Sequence, residues 1–172
     1  IINDVSGFRL DAGMARVAAE TGAGVVLMHS RGTVEDMASY DTAAYQRDPV
    51  ATIVAELSDA LDLAVGAGVE TGRIVLDPGL GFSKRTEHSA AILQELDRVL
   101  ALGRPVLVGP SRKRFLAELA GGVPVDARLP GTLAACVTAL LAGARIFRVH
   151  DVAAARQALD VAEALAPRAG GV

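Results

Sequence analysis

Residues that can do chemistry stand in this chain where short apolar runs end. The stretch 74–84 reads Ile-Val-Leu-Asp-Pro-Gly-Leu-Gly-Phe-Ser-Lys, which places a carboxylate directly after three apolar residues. Asp77 can accept two hydrogen bonds from one edge of a heterocycle. Gly79 and Gly81 allow the backbone to approach a flat ligand closely. The stretch therefore predicts a site for a flat, polar molecule at the end of a strand.

The same pattern recurs at other apolar runs of the chain. Polar clusters follow such runs at 3–4, at 29–31, at 111–113 and at 148–151. The clusters Ser-Arg-Lys at 111–113 and Arg-Val-His at 148–150 are cationic, and cationic groups at neighbouring strand ends are typical of anion sites. We therefore expect an anion to bind between Arg148, His150 and the loop that carries Ser111.

The apolar runs alternate with segments of helical periodicity, which predicts an α/β fold with a parallel sheet. Strands are expected at 1–2, 25–28, 74–76, 105–108 and 145–149. Helices are expected at 11–21, 48–66, 87–102, 115–120, 131–142 and 153–165.

The spacing of these elements fits either an open doubly wound sheet or a (β/α)8 barrel. No strand leads into a G-x-G-x-x-G turn, so the dinucleotide-binding sheet lacks support. Barrels often bind phosphate at their last two strand ends, where this chain is cationic. We therefore predict the last five βα units of a TIM (β/α)8 barrel. They are expected to form a single domain over 1–172 that is incomplete at its N-terminus.

Composition excludes several classes of function. The formal net charge of -3 shows no basic bias, which argues against nucleic-acid binding. No apolar run reaches the length of a membrane span. Cys136 is the single cysteine, so an internal disulfide is impossible and a cytoplasmic location is expected.

Five ordered motifs together resemble dihydropteroate synthases. They are Asn-Asp-Val-Ser-Gly at 3–7, Met-His at 28–29, the stretch 77–84, Ser-Arg-Lys at 111–113 and Arg-Val-His-Asp-Val at 148–152. The resemblance covers nearly the whole chain and implies the C-terminal portion of that enzyme. These transferases condense 6-hydroxymethyl-7,8-dihydropterin pyrophosphate with p-aminobenzoate in folate biosynthesis. The products are dihydropteroate and pyrophosphate.

The resemblance also implies roles for individual residues. The pterin site would be formed by Asn3, Val5, Met28, Asp77, Phe82, Gly109 and Lys113. The p-aminobenzoate side would be formed by Ser111 and Arg112, and the pyrophosphate pocket by Arg148 and His150. The residues expected to act in catalysis are Asp77, Lys113, Arg148 and His150.

Cofactor, partners and alternatives follow from the same resemblance. Mg2+ is expected, with its ligand in a portion of the enzyme that precedes this chain, so no metal ligand is expected within 1–172. The complete enzyme would be a homodimer and a sulfonamide target, and this chain alone would be inactive. Two alternatives stay open: a pterin-binding methyltransferase domain, and an inactive partial barrel.

Overall fold

The strands of the chain are short and parallel. A computed structural model describes residues 1–11, 13–45 and 47–166. Within these ranges β1 pairs with β2, β2 with β3, and β4 with β5, in every case in parallel. The strands are β1 (Ile2–Asp4), β2 (Val25–Met28), β3 (Ile74–Asp77), β4 (Leu107–Val108) and β5 (Ile146–Phe147).

The two groups of strands join into one curved wall. An isolated parallel bridge links Leu76 to Val106, and the Leu76 amide donates to the Pro105 carbonyl at 2.9 Å. The described strands therefore follow the order β1-β2-β3-β4-β5. A doubly wound sheet would reverse its order at a switch point, whereas a barrel wall adds strands in sequence. The observed order favours the barrel alternative.

Helices connect successive strands and cover one face of this wall. Helix α2 shows how the sequence sets their ends, because the Asp48 side chain accepts from the Ala51 amide at 2.8 Å and Pro49 follows it. The helices are α1 (Met14–Thr21), α2 (Pro49–Gly66), α3 (Thr86–Gln94), α4 (Leu96–Leu100), α5 (Arg114–Leu119), α6 (Leu129–Ala142) and α7 (Val152–Leu165). Short 3-10 turns lie at Thr71–Arg73 and Val125–Ala127.

The helix expected at 87–102 is in fact two helices, so this prediction was wrong in its continuity. The chain leaves helical geometry at Glu95, with φ of -119° and ψ of 35°. Beyond the break, Arg98 bonds Asp48 at the start of α2 at 2.9 Å and also contacts Glu95. These contacts stabilise the break in the helix. No glycine or proline indicates the break in the sequence.

The core between sheet and helices is mainly aliphatic and also contains Phe8 and Phe115. Leu27 and Leu76 are register partners on neighbouring strands, and both are fully buried. Ile53 of α2 and Ile92 of α3 are fully buried in the same apolar cluster. Packing of this kind fixes the strand ends that carry the polar residues, since close-packed interiors leave little room to shift.

The opposite face of the wall is open. A cavity of about 680 Å3 borders this inner face, next to Asn3, Val75, Leu107 and Arg148. A second cavity, of about 840 Å3, lies between α1 and α2 and is also lined by His29, Ser30 and Arg31, which follow β2. None of the described helices is long and apolar enough to span a membrane. Residues 167–172 of the expected domain lie outside the described residues.

Candidate active site

Asp77 ends β3 as a carboxylate that is 1% exposed. One of its oxygens accepts from the Gly79 amide at 2.8 Å, and the other accepts from Arg148 at 2.8 Å. Burial raises the pKa of Asp77, and the Gly79 amide and the Arg148 guanidinium act in the opposite direction. The site thus contains a buried carboxylate whose two oxygens are held in place from both sides.

Arg148 connects the two ends of the curved wall. Its guanidinium follows β5, and it donates to the Asn3 side chain of β1 at 2.9 Å as well as to Asp77. Gly109 leaves room for this reach, because a Cβ at that position would lie 3.3 Å from the Arg148 guanidinium. Asn3, Asp77 and Arg148 therefore meet, although 145 residues separate the first from the last.

The loop after β3 passes unusually close to the end of β2. A Cβ on Gly79 would lie 2.0 Å from the His29 carbonyl oxygen, so only glycine fits there. The loop carries Phe82, whose ring lies under the Lys113 ammonium at 3.5 Å from the ring centre. Burial lowers the pKa of Lys113 to about 8, and Arg148 adds to this effect. The ring and the ammonium thus form one side of the site beside Asp77.

The loops after β4 and β5 are tied to each other. The Ser111 hydroxyl lies 2.7 Å from His150 Nδ1 and also accepts from the His150 amide at 3.1 Å. Arg112 forms two hydrogen bonds to the Asp151 carboxylate, at 2.8 and 3.0 Å. Arg112 adopts a left-handed φ of 54° just before α5. The structure therefore brings Ser111 together with His150, as the anion site requires.

Other predicted residues hold supporting places. Met28 is fully buried and is the register partner of Asp77. Val5 is half-buried, and its carbonyl accepts from the Ser30 hydroxyl at 2.6 Å. Arg148 contacts Asn3 and Asp77, while His150 contacts Ser111. The expected anion group is therefore divided between two neighbouring clusters in this structure.

A buried polar chain beneath the site was missed by sequence reasoning. Lys84 is 1% exposed and lies 2.8 Å from His29 Nδ1. His29 Nε2 lies 2.7 Å from Glu56, which also pairs with Arg31. The presence of Lys84 in the loop after β3 is the one feature of the sequence that could have suggested this buried polar chain. Nothing in the sequence links Lys84 to Glu56.

His29 makes stability depend on pH in a predictable direction. Burial, reinforced by Lys84, lowers the pKa of His29 to about 4 from 6.5. Between these values the unfolded chain binds the proton and the folded chain does not, so the free energy of unfolding falls as pH falls. We expect a loss of about 2 kcal/mol from pH 6.5 to 5. Urea titrations at several pH values measure it.

The matched variants are His29→Gln and His88→Gln. Glutamine keeps a donor and an acceptor but does not titrate, so His29→Gln should flatten the profile over this pH range. His88 is half-buried in the first turn of α3, and its replacement should leave most of the slope. A slope that survives in His29→Gln would assign the pH dependence to another group.

No group of three or more His, Cys, Asp or Glu side chains comes together within residues 1–11, 13–45 and 47–166. Asp77 and Asn3 both lie at the site, but Arg148 occupies their side-chain oxygens. The described residues therefore do not fit a metal ion by themselves.

Comparison with known proteins identifies related sequences over nearly the whole chain. A family model described as pterin binding enzyme matches residues 1–150. Dihydropteroate synthase of Mycobacterium leprae is 45% identical over 166 residues, which cover 94% of this chain and 58% of that protein. Inactive dihydropteroate synthase 2 of Mycobacterium tuberculosis is 39% identical over 165 residues, which cover 94% of this chain and 51% of that protein.

A solved structure agrees with the sequence relatives. Dihydropteroate synthase from Thermus thermophilus in complex with 4-aminobenzoate has a TM-score of 0.88 at 45% identity. The match covers 95% of this chain and 62% of that one. The chain thus spans less than two thirds of each relative, and it corresponds to their C-terminal portion.

Proposed function

Because the chain belongs to the pterin-binding enzyme family, we propose that it forms the substrate-binding part of a dihydropteroate synthase. The reaction joins 6-hydroxymethyl-7,8-dihydropterin pyrophosphate to p-aminobenzoate and releases pyrophosphate. The observation that carries the proposal is the meeting of Asn3, Asp77 and Arg148 beside the ring of Phe82 and the ammonium of Lys113.

The pterin is proposed to bind at Asp77 with its amino-pyrimidinone edge. That edge presents adjacent N–H donors, and a buried carboxylate accepts from such donors strongly. Asn3 would bond a further polar atom of the ring. Phe82 and Lys113 would lie along the ring, and Val5, Met28 and Gly109 would complete the pocket. Asp77 would thus be kept buried for a ligand, and the Gly79 amide and Arg148 favour its ionised form.

Arg148 is proposed to change partners when substrate enters. It now donates to Asn3 and Asp77, the groups that the pterin needs. Its side chain is 46% exposed, so it can leave them without a large packing cost. Once displaced, the guanidinium would turn towards the pyrophosphate, where His150 and the Ser111 hydroxyl already lie within 2.7 Å of each other.

The p-aminobenzoate side is proposed to lie at Ser111 and Arg112. The carboxylate of this substrate would meet the hydroxyl or backbone of Ser111 and the Arg112 guanidinium. Arg112 is tied to Asp151 at 2.8 Å, which fixes the loop that presents both residues. The arylamine would then face Lys113, between the two substrates.

The chemistry asked of these residues is mainly electrostatic. Breaking the C–O bond leaves negative charge on pyrophosphate and positive charge on the pterin methylene, and the amine of p-aminobenzoate then attacks that carbon. Arg148 and His150 would stabilise the departing anion. Asp77 would hold the cationic ring, so no protein nucleophile is required.

Several further properties are part of the proposal. The strands are proposed to be the last five of an eight-stranded barrel. The complete protein would be a cytoplasmic homodimer that sulfonamides inhibit. Mg2+ would supply charge stabilisation to the pyrophosphate when bound. Its ligand would be an asparagine outside this chain, as the resemblance to dihydropteroate synthases implies.

Family membership alone does not decide whether this protein turns over substrate, because one relative carries the name of an inactive enzyme. The three substrate positions must therefore be tested by binding. Tight binding of p-aminobenzoate in the presence of pyrophosphate would separate a synthase from a pterin-binding methyltransferase, which has no use for an arylamine carboxylate.

Replacing Arg148 with alanine should lower the affinity for pyrophosphate by roughly tenfold or more, because a charged hydrogen bond contributes about 1.5–3 kcal/mol. Affinity for 6-hydroxymethylpterin, which lacks the anion, should hold or rise, since Arg148 no longer competes for Asp77. Isothermal calorimetry measures the affinities for pyrophosphate and for 6-hydroxymethylpterin. The same method then measures the affinity for p-aminobenzoate in the presence of pyrophosphate.

Arg156→Ala is the matched control, because Arg156 is exposed on α7 and pairs, among the described residues, with Asp160 of its own helix. This control should bind pyrophosphate like the unaltered chain. Equal pyrophosphate affinity in Arg148→Ala would remove Arg148 from the anion site. If p-aminobenzoate failed to bind under every condition tested, the proposed function would be refuted.

A further inference from the structure

Lys84 is one of two lysines in the chain and the one that lies in the interior. Its ammonium contacts three acceptors: His29 Nδ1 at 2.8 Å, the Phe82 carbonyl at 2.9 Å and the His29 carbonyl at 3.2 Å. A protonated lysine has three N–H donors and no acceptor, so these three acceptors match its charged form, while burial lowers the pKa of Lys84 to about 7. No carboxylate is within salt-bridge distance of Lys84 in the described part of the chain.

The tautomer of His29 follows from this contact. Because Nδ1 accepts from Lys84, Nε2 carries the hydrogen and donates to Glu56 at 2.7 Å. The lowered pKa of His29, about 4, keeps the ring neutral near pH 7, as an acceptor must be. Hydrogen bonds therefore run from the interior ammonium through His29 to a half-exposed carboxylate.

The loop that Lys84 holds has an unusual backbone. Gly79, Gly81 and Ser83 adopt positive φ values of 67°, 72° and 50°. Such alternation leaves few regular backbone hydrogen bonds, and a serine in this region is strained. Ser83 is anchored by its hydroxyl, which donates to the Arg31 carbonyl at 2.7 Å. The Phe82 carbonyl accepts from Lys84.

This loop also sets the position of Lys113. The Phe82 ring lies 3.5 Å from the Lys113 ammonium, and a Cβ on Gly81 would lie 3.2 Å from the Lys113 side chain. Any shift of the loop therefore moves Phe82 and Gly81 relative to the Lys113 side chain. Lys84 touches the Phe82 backbone from below, while Lys113 touches the Phe82 ring.

We propose that Lys84 is a positioning residue whose ammonium fastens the loop 78–83 to the end of β2 and thereby places Phe82 against Lys113. The inference rests on the proposed function only in calling Phe82 and Lys113 pterin contacts. It adds a named residue that touches no substrate and acts through the loop.

The test uses Lys84→Met, which keeps the length of the side chain and removes all three donors. Nuclear magnetic resonance of the unaltered chain should show Lys113 side-chain protons shifted upfield by the ring current of Phe82, and Phe82→Leu should abolish that shift and so assign it. In Lys84→Met we expect at least half of the shift to disappear. We also expect affinity for 6-hydroxymethylpterin to fall roughly tenfold.

Val99→Ala is the control for lost stability, because Val99 is fully buried in the core away from this loop. It should lower the melting temperature and leave the ring-current shift intact. An unchanged shift in a folded Lys84→Met would overturn the proposal. If Lys84→Met fails to fold, Lys84→Gln, which keeps two donors, should show an intermediate shift, and an unchanged shift there would equally overturn it.

The ring-current measurement requires no ligand. If the unaltered chain bound no pterin, the proposed function would fail while the shift in Lys84→Met still decided the role of Lys84. If the unaltered chain bound pterin and the shift survived in Lys84→Met, the proposed function would stand and the positioning role would not.

Discussion

Asp77→Asn is expected to lower pterin affinity roughly tenfold to hundredfold. Asparagine keeps an oxygen for the Gly79 amide but replaces the second oxygen by an N–H2 group that faces the donors of the ring. An unpaired buried donor costs about 1–3 kcal/mol, and each 1.4 kcal/mol is tenfold in affinity. Calorimetry with 6-hydroxymethylpterin measures this loss.

Stability should respond differently from binding. Burial raises the pKa of Asp77, so the ionised carboxylate is costly in the free protein. Removing that charge relieves the cost while it breaks the pair with Arg148, and the melting temperature should change little. A binding loss without a stability loss is the pattern of a residue kept for a ligand.

Asp160→Asn provides the control, because Asp160 lies on α7 and pairs with Arg156 of the same helix. This variant should bind pterin normally. Equal pterin affinity in Asp77→Asn and the unaltered chain would place the pterin elsewhere. A large drop in melting temperature of Asp77→Asn alone would assign Asp77 a structural role.

The C-terminal end of β3 could be predicted because local sequence determines it, whereas β5, expected at 145–149, covers Ile146–Phe147. In β3 three apolar residues lead into Asp77, and Pro78 cannot extend a central strand, so the expected run and the observed strand agree. The start of α2 is equally local, since Asp48 caps it and Pro49 fits its first turn. Parallel strands then bring their polar ends to one side.

Contacts between distant side chains could not be predicted in the same way. The pair of Arg148 with Asp77 spans 71 residues, and that of Lys84 with His29 spans 55. Each depends on the curvature of the wall and on which side chain fills the space beneath a loop. The break at Glu95 is another case, because the contact that stabilises it is the pair of Arg98 with Asp48, the N-cap of α2.

The largest effect is expected from the length of the chain rather than from one side chain. We expect the 172-residue chain to form dihydropteroate at least about a thousandfold more slowly than a version extended upstream to the length of its relatives. Losing even one group that stabilises developing charge costs about 10²–10³ in rate. The upstream portion of the relatives would bring the proposed Mg2+ ligand and further strands.

The strand edges give the structural reason for this expectation. Within the described residues β1 pairs only with β2, and β5 pairs only with β4. Ile1 is 97% exposed and Val152 is 66% exposed beside these edges. The inner cavity next to Asn3 and Arg148 is also lined by Ile1 and Val152. Water in the site weakens the electrostatic stabilisation on which the proposed chemistry depends.

The assay supplies both substrates and Mg2+ to the two versions and measures dihydropteroate by chromatography. Asp77→Asn in the extended version controls for turnover that does not use the site. Binding of p-aminobenzoate with pyrophosphate by the short chain would show that its strand ends are formed, so that slow turnover reflects missing groups and not misfolding. A short chain within tenfold of the extended one would mean that Asp77, Lys113, Arg148 and His150 suffice for the reaction. Closing the wall would then add stability to the protein and little to its chemistry.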